Sequence, residues 1–150
     1  VSFFRAPIAP KLKILLTVPE FHLETQKARA AIPRTLDLRD AVFNLQRSSL
    51  TVAALLRNEF HFLRESLRDR LHQPFRAPLI PGFEEILRLN QEELSGLMGI
   101  CLSGAGPSVL AFAEGNLDGI YSRIAAIFGH HGLRSRRFEL EVDNQGRTIS

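Results

Sequence analysis

Residues 99–113 read Gly-Ile-Cys-Leu-Ser-Gly-Ala-Gly-Pro-Ser-Val-Leu-Ala-Phe-Ala: an apolar run, a turn built of small residues and proline, and a second apolar run. Two strands joined by a tight loop are the simplest structure this pattern allows. Gly104 and Gly106 can adopt the positive φ that such a loop requires. Two readings of the loop stay open from the residues alone. The glycines serve hairpin geometry and nothing more, or they gather backbone N–H groups into a concavity suited to an anion or phosphate. A dinucleotide fingerprint is excluded, because Val109 stands where the third glycine belongs and the following residues read as strand, not helix. No Gly-Lys-Ser/Thr follows, so this is not a Walker loop either.

The rest of the chain supplies partners for that hairpin. Lys11–Val18 reads as a strand ending at Pro19, and Arg136–Val142 as a last strand with Phe138, Leu140 and Val142 on one face. Thr25–Ala31 reads as a short helix. Asp37–Arg57 is the strongest helical segment: Leu38, Ala41, Val42, Leu45, Ser49, Val52, Leu55 and Leu56 recur at spacings of three and four on one face. Thr35 or Asp37 is placed to cap it and Asn58 to end it. Glu59–Arg70 reads as a further helix, and Gln73–Gly82, with three prolines, as a loop. Phe83–Leu94 is helical with Phe83, Ile86, Leu87 and Leu94 inward, and Asn116 is placed to cap a last amphipathic helix. Four strands with intervening helices and no strict β-α alternation predict an α+β sandwich: a four-stranded, mostly antiparallel sheet with helices on one face, ferredoxin-like in topology.

The chain has 150 residues, enough for one domain with a real core, and 45% of them are hydrophobic. No apolar run approaches the ~20 residues of a membrane span. The opening lacks the layout of a signal peptide, and the missing initiator methionine fits a fragment or a processed chain. Cys101 is the only cysteine, so no intrachain disulfide can form, which fits a reducing cytoplasm. Its apolar neighbours predict a buried, inert thiol.

A net charge of +3 spread along the chain does not make the basic stripe of a nucleic-acid protein. Arg64, Glu65, Arg68 and Asp69 read as a solvated helix face. His22, His61, His72, His130 and His131 have no metal-ligand spacing, so no metal site is expected. Ser103 has no local base to activate it.

Two polar segments remain. Pro19–Arg29 ends a strand and begins a helix on which Thr25 and Arg29, four apart, share a face. Thr25 is placed there to cap the helix or to touch a ligand. Asp69-Arg70-Leu71-His72-Gln73-Pro74-Phe75-Arg76 concentrates charge before a proline-rich stretch.

These segments, in order, resemble the homoserine kinase family of the GHMP kinase superfamily. Glu24-Thr25-Gln26-Lys27-Ala28-Arg29 is similar to the family's Thr-x-x-Ala-Arg segment, and Asp40–Leu45 to its long-helix signature. Asp69–Arg76 followed by Leu79-Ile80-Pro81-Gly82 is the match most specific to the family, and Leu102–Ser108 is similar to the third superfamily motif. The two earlier superfamily motifs, including the loop that holds the ATP phosphates, have no counterpart in residues 1–150. The resemblance therefore implies the C-terminal, substrate-side domain of an ATP-dependent kinase without its N-terminal ATP-binding half.

It implies a ferredoxin-like fold and, for the whole enzyme, transfer of the ATP γ-phosphate to the side-chain hydroxyl of L-homoserine on the route to threonine. By the same resemblance Arg29 and Arg76 would grip the substrate carboxylate, and Thr25 would sit near the transferred group or line the pocket. Ser103, Gly104, Ala105, Gly106 and Ser108 close over the phosphate loop, with Ala105 standing where a serine is common. ATP and Mg²⁺ would be held mainly by the N-terminal half. Another GHMP small-molecule kinase, or a non-catalytic ferredoxin-like binding module, are the alternatives. The latter would want exposed sheet aromatics, and only Phe112 and Phe138 are available. A domain lacking its other half should expose an apolar face and self-associate, with a second copy as partner.

Overall fold

The computed structural model describes residues 7–146. Four strands, β1 (Lys13–Pro19), β2 (Leu97–Leu102), β3 (Val109–Ala113) and β4 (Ser135–Leu140), form one sheet in the order β2-β3-β1-β4. Every neighbouring pair is antiparallel. β1 and β2 therefore run parallel with β3 between them, which is the split βαβ of a ferredoxin-like sandwich. The connection from β1 to β2 carries α1 (Thr25–Ala30), α2 (Leu38–Arg57), α3 (Leu63–Ser66), α4 (Gln73–Arg76) and α5 (Phe83–Arg88); α6 (Leu117–His130) joins β3 to β4.

The main core lies on one face of the sheet. Leu15 of β1, Ile100 and Leu102 of β2, and Val109, Ala111 and Ala113 of β3 alternate inward against α5 and α6. α6 contributes Ile120, Ile124, Ile127 and Phe128, all buried. Each such side chain stabilises the fold by about 1.5–3 kcal/mol through burial. Phe112, on the other side of β3, joins a smaller cluster of Leu12, Ala54, Phe60 and Leu63. Gly99 permits this approach: a Cβ there would stand 3.0 Å from the Leu63 backbone. Further along that second face Phe138 and Leu140 are exposed.

The element order follows the sequence reading, with local differences that have physical causes. Glu59–Arg70 is a 3₁₀ turn followed by the four residues of α3, because the chain must bend to bring Asp69 back onto α2. The segment predicted as a loop at Gln73–Gly82 opens with α4, whose N-terminal amides are capped by Asp69 and whose second residue is Pro74, a position that tolerates proline. Phe83–Leu94 shortens to α5 and a 3₁₀ turn.

Thr25 does not cap α1: it is the first helical residue, after Glu24. Asp37 does cap α2, accepting from the Arg39 amide at 2.7 Å, and Asn58 ends it in the left-handed region. Asn116 occupies the N-cap position of α6, but its side chain donates to the Ser95 carbonyl instead.

The largest departure concerns α2. Its apolar face points away from the molecule, leaving Leu38 77%, Leu45 68% and Val52 54% exposed. The inward face carries Asn44, Arg47, Thr51 and Ala54.

Candidate functional site

The glycine hairpin between β2 and β3 is a closed turn. The Ser103 amide donates to the Ser108 carbonyl at 2.8 Å, and the Gly106 amide to the Ser103 carbonyl at 3.0 Å. Gly104 and Gly106 have φ of +58° and +86°. Two of the loop's amides are therefore spent on hairpin geometry, and the turn presents Gly104 and Ala105 to the cleft beside it.

The opposite wall is organised by Asp69. Its carboxylate accepts from the Leu71 and His72 amides at 2.8 Å each, from the Gln73 amide, and from Asn44 Nδ2 of α2 at 2.5 Å. Burial alone would raise this carboxyl's pKa; the bonds from Gln73, Asn44, Leu71 and His72 outweigh it and hold the pKa below its ordinary value. Asn44 completes the tie by accepting from the Arg70 amide at 2.9 Å. Gln73, itself buried, then accepts from the Leu102 amide at 2.8 Å and donates to the Leu67 carbonyl at 3.1 Å. The chain of contacts from α2 through Asp69 and Gln73 to β2 fixes where α4 sits, and so where Arg76 points.

Between these walls lies an open cleft of about 550 Å³. Thr25 and Arg29 of α1, Arg76 of α4, Asn44, Arg47 and Ser48 of α2, and Gly104 and Ala105 of the hairpin all line it. Residues expected at the site from three distant parts of the chain are thus brought together: Thr25, Arg29, Arg76, Gly104 and Ala105. Ser103, Gly106 and Ser108 lie in the same turn but do not line the cleft. Thr25 and Arg29 are exposed, whereas Arg76 is half-buried.

The structure adds Arg47 and Ser66. Arg47 Nε and Ser66 Oγ are buried among the cleft-lining residues with no hydrogen-bond partner among the described residues. The other end of the Arg47 guanidinium pairs with Glu65 at 2.5 Å, and its Cζ lies over the Phe43 ring, 4.3 Å from the centroid. The signal for Arg47 was present in the sequence, since Asn44, Arg47 and Thr51 recur at helical spacing. It is the polar face of a helix, and hydrophobic patterning assigns that face to solvent.

The segment read as a solvated face is engaged: Arg64 donates to the carbonyls of Glu92, Leu94 and Leu97, and Glu65 pairs with both Arg47 and Arg68. A second cleft of about 680 Å³ on that side therefore offers no free cation from Arg64 or Arg68. Cys101 lines the first cleft, but burial, with the Asp69 charge beside it, pushes its pKa up to about 11, so it is a neutral thiol.

The cleft's donor set suits anions. It holds arginine forks, hydroxyls and one carboxylate, and that carboxylate is fully occupied by its four hydrogen bonds. It does not fit Mg²⁺, which takes free carboxylate oxygens and phosphates.

The architecture is an α+β ferredoxin-like sandwich with an arginine-lined cleft beside its glycine hairpin. Residues 44–130 match the family model described as GHMP kinases C terminal. The chain belongs to the GHMP kinase C-terminal family. It is 45% identical, over 99% of its length, to a homoserine kinase of Schizosaccharomyces pombe, of which it covers 45%. It is 38% identical, over 91% of its length, to one of Halothermothrix orenii, of which it covers 43%. The crystal structure of homoserine kinase from Cytophaga hutchinsonii superposes on 95% of this chain with a TM-score of 0.85 at 26% identity, the match covering 45% of that chain. The chain thus spans just under half the length of these relatives.

Proposed function

We propose that this chain is the substrate-gripping part of a homoserine kinase, and that the cleft between α1, α4 and the glycine hairpin holds the carboxylate of L-homoserine. The observation that carries this reading is the convergence of Arg29 and Arg76, 47 residues apart, on one cleft with Gly104. Guanidinium forks bind carboxylates through paired, charge-assisted bonds about twice as strong as neutral ones. Arg76 is held for this by the Gly104 and Ala28 carbonyls, and Arg29 lines the same cleft as an exposed side chain. Thr25, at the start of α1 on the same helix face, would lie near the substrate hydroxyl.

Phosphoryl transfer asks for positioning and charge stabilisation more than covalent chemistry. This part would supply the first: orientation of the amino acid. ATP and Mg²⁺ would be held by a further part of the enzyme, since the cleft offers no free carboxylate and its loop amides at 103 and 106 are spent. Among the described residues no helix is long and apolar enough to cross a membrane.

An amide NMR titration with L-homoserine, with L-alanine as control, tests the reading. Homoserine-specific shifts clustered at Thr25, Arg29 and Arg76, lost in Arg76→Met, are the expected result. A folded spectrum in which the shifts are equal for both amino acids, or lie away from the cleft, would overturn it.

A further inference from the structure

The cleft holds two kinds of arginine. Arg29 and Arg76 pair with no carboxylate among the described residues: Arg76 donates to the Gly104 and Ala28 carbonyls, and Arg29 is exposed. Arg47, on α2, has its charge matched already, because its Nη2 pairs with Glu65 at 2.5 Å. What Arg47 keeps is one buried N–H, at Nε, with no hydrogen-bond partner among the described residues. Ser66 follows Glu65 in the chain and is 4% exposed, and its Oγ is likewise buried without a partner. Both residues line the cleft. Thr51 ties their backbones together, its Oγ1 lying 2.9 Å from the Arg47 carbonyl and 3.2 Å from the Ser66 carbonyl. The neighbouring amides are spent: Asn44 on Asp69 and the Arg70 amide, Gln73 on the Leu67 carbonyl and the Leu102 amide. A buried polar group without a bond costs the folded chain stability, and a ligand that makes the bond recovers that cost.

We infer that Arg47 and Ser66 are specificity-determining residues that read the side-chain hydroxyl of the amino acid bound in this cleft. The inference rests on the reading that the cleft holds L-homoserine by its carboxylate. A carboxylate calls for unmatched positive charge and a guanidinium fork, which Arg29 and Arg76 bring. A single N–H on a guanidinium whose charge is matched, together with a serine hydroxyl, suits one neutral oxygen instead. Outside its carboxylate, homoserine carries one such oxygen.

That hydroxyl has two lone pairs and one proton. The Arg47 Nε–H donates to one lone pair, and Ser66 Oγ accepts the proton. The second lone pair stays free, as an oxygen that must attack phosphorus requires. An amino acid of the same length without the hydroxyl leaves both protein groups unbonded, and a site built around a polar contact discriminates on that ground.

Calorimetric titration of the 150-residue chain compares L-homoserine with L-2-aminobutyrate, which has the same carbon skeleton and no hydroxyl. The wild type should bind homoserine at least about tenfold more tightly, as two hydrogen bonds allow. Ser66→Ala should weaken homoserine about fivefold, the worth of one bond, and leave 2-aminobutyrate unchanged. Arg47→Lys, which keeps a cation for Glu65 but loses the N–H at that position, should do the same. Equal affinity of the wild type for both amino acids would overturn the inference and leave the carboxylate reading standing. So would homoserine affinity unchanged in either variant, or an equal loss for both amino acids, which a merely structural role would give. A wild type that binds neither amino acid would remove the carboxylate reading and this inference with it.

Discussion

Arg76 donates from Nη1 to the Gly104 carbonyl at 2.9 Å and from Nε to the Ala28 carbonyl at 3.3 Å, so one guanidinium ties the glycine hairpin to α1. These bonds leave Nη2 for a ligand. Lysine carries the charge but not the fork, and a single ammonium cannot hold two carbonyls and a carboxylate in that plane. Arg76→Lys is expected to cost about 1–2 kcal/mol of stability from the two bonds and to weaken homoserine binding. Arg29→Lys, at an exposed site, should leave stability within about 0.5 kcal/mol and weaken binding alone. Urea denaturation beside calorimetric titration separates the two patterns.

Asp69 should make the fold acid-sensitive. Its folded pKa lies below its unfolded value, so the group stabilises the native state above the unfolded pKa and loses that contribution as pH falls through the folded one. Asp69→Ala removes the acceptor of three backbone amides and of Asn44, and is expected to cost roughly 1–3 kcal/mol for each donor left unsatisfied and buried. The measurement is the urea midpoint at pH 7 and at pH 3, below the ordinary Asp value of 3.8, for both proteins. The gap between them should narrow at the lower pH, and a gap independent of pH would contradict the assignment.

The two loop glycines should not be equivalent. Both have positive φ, which costs a side-chain-bearing residue about 1–2 kcal/mol. A Cβ on Gly104 meets open space, whereas one on Gly106 would stand 2.8 Å from Ile80 Cδ1 and 3.1 Å from Leu102 Cδ1. Gly104→Ala is therefore expected to show the backbone cost alone. Gly106→Ala should show that cost and a further ~1 kcal/mol for displacing core side chains. Thermal denaturation of the two variants gives the order.

The strands and the hairpin were legible because their signals are local: alternation, glycines and prolines act within a few residues of where they stand. Arg29 and Arg76 became candidates through the resemblance of their segments to a known family, and only the fold could show that they share a cleft. The Asp69–Gln73–Leu102 relay was not legible, because it joins residues whose partners are set by the tertiary path. α2 shows the limit most plainly. Its helical period from Leu38 to Leu56 is plain in the sequence, yet periodicity gives the apolar face of a helix, not what that face meets. Here the domain packs against the polar face, so the hydrophobic pattern gives no sign of Arg47.

Ser66 offers a test that separates architecture from recognition. Its hydroxyl is buried, lines the cleft and has no partner among the described residues. A buried hydroxyl without a bond is a cost to the folded chain, so Ser66→Ala should leave stability unchanged or raise it by up to about 1 kcal/mol. If the same hydroxyl meets the bound amino acid, its loss removes one hydrogen bond from the complex, or about fivefold in affinity at ~1 kcal/mol. A variant that is at least as stable and binds homoserine more weakly places Ser66 in recognition. A variant that is less stable, with affinity unchanged, assigns the hydroxyl to the packing of α3 against α2.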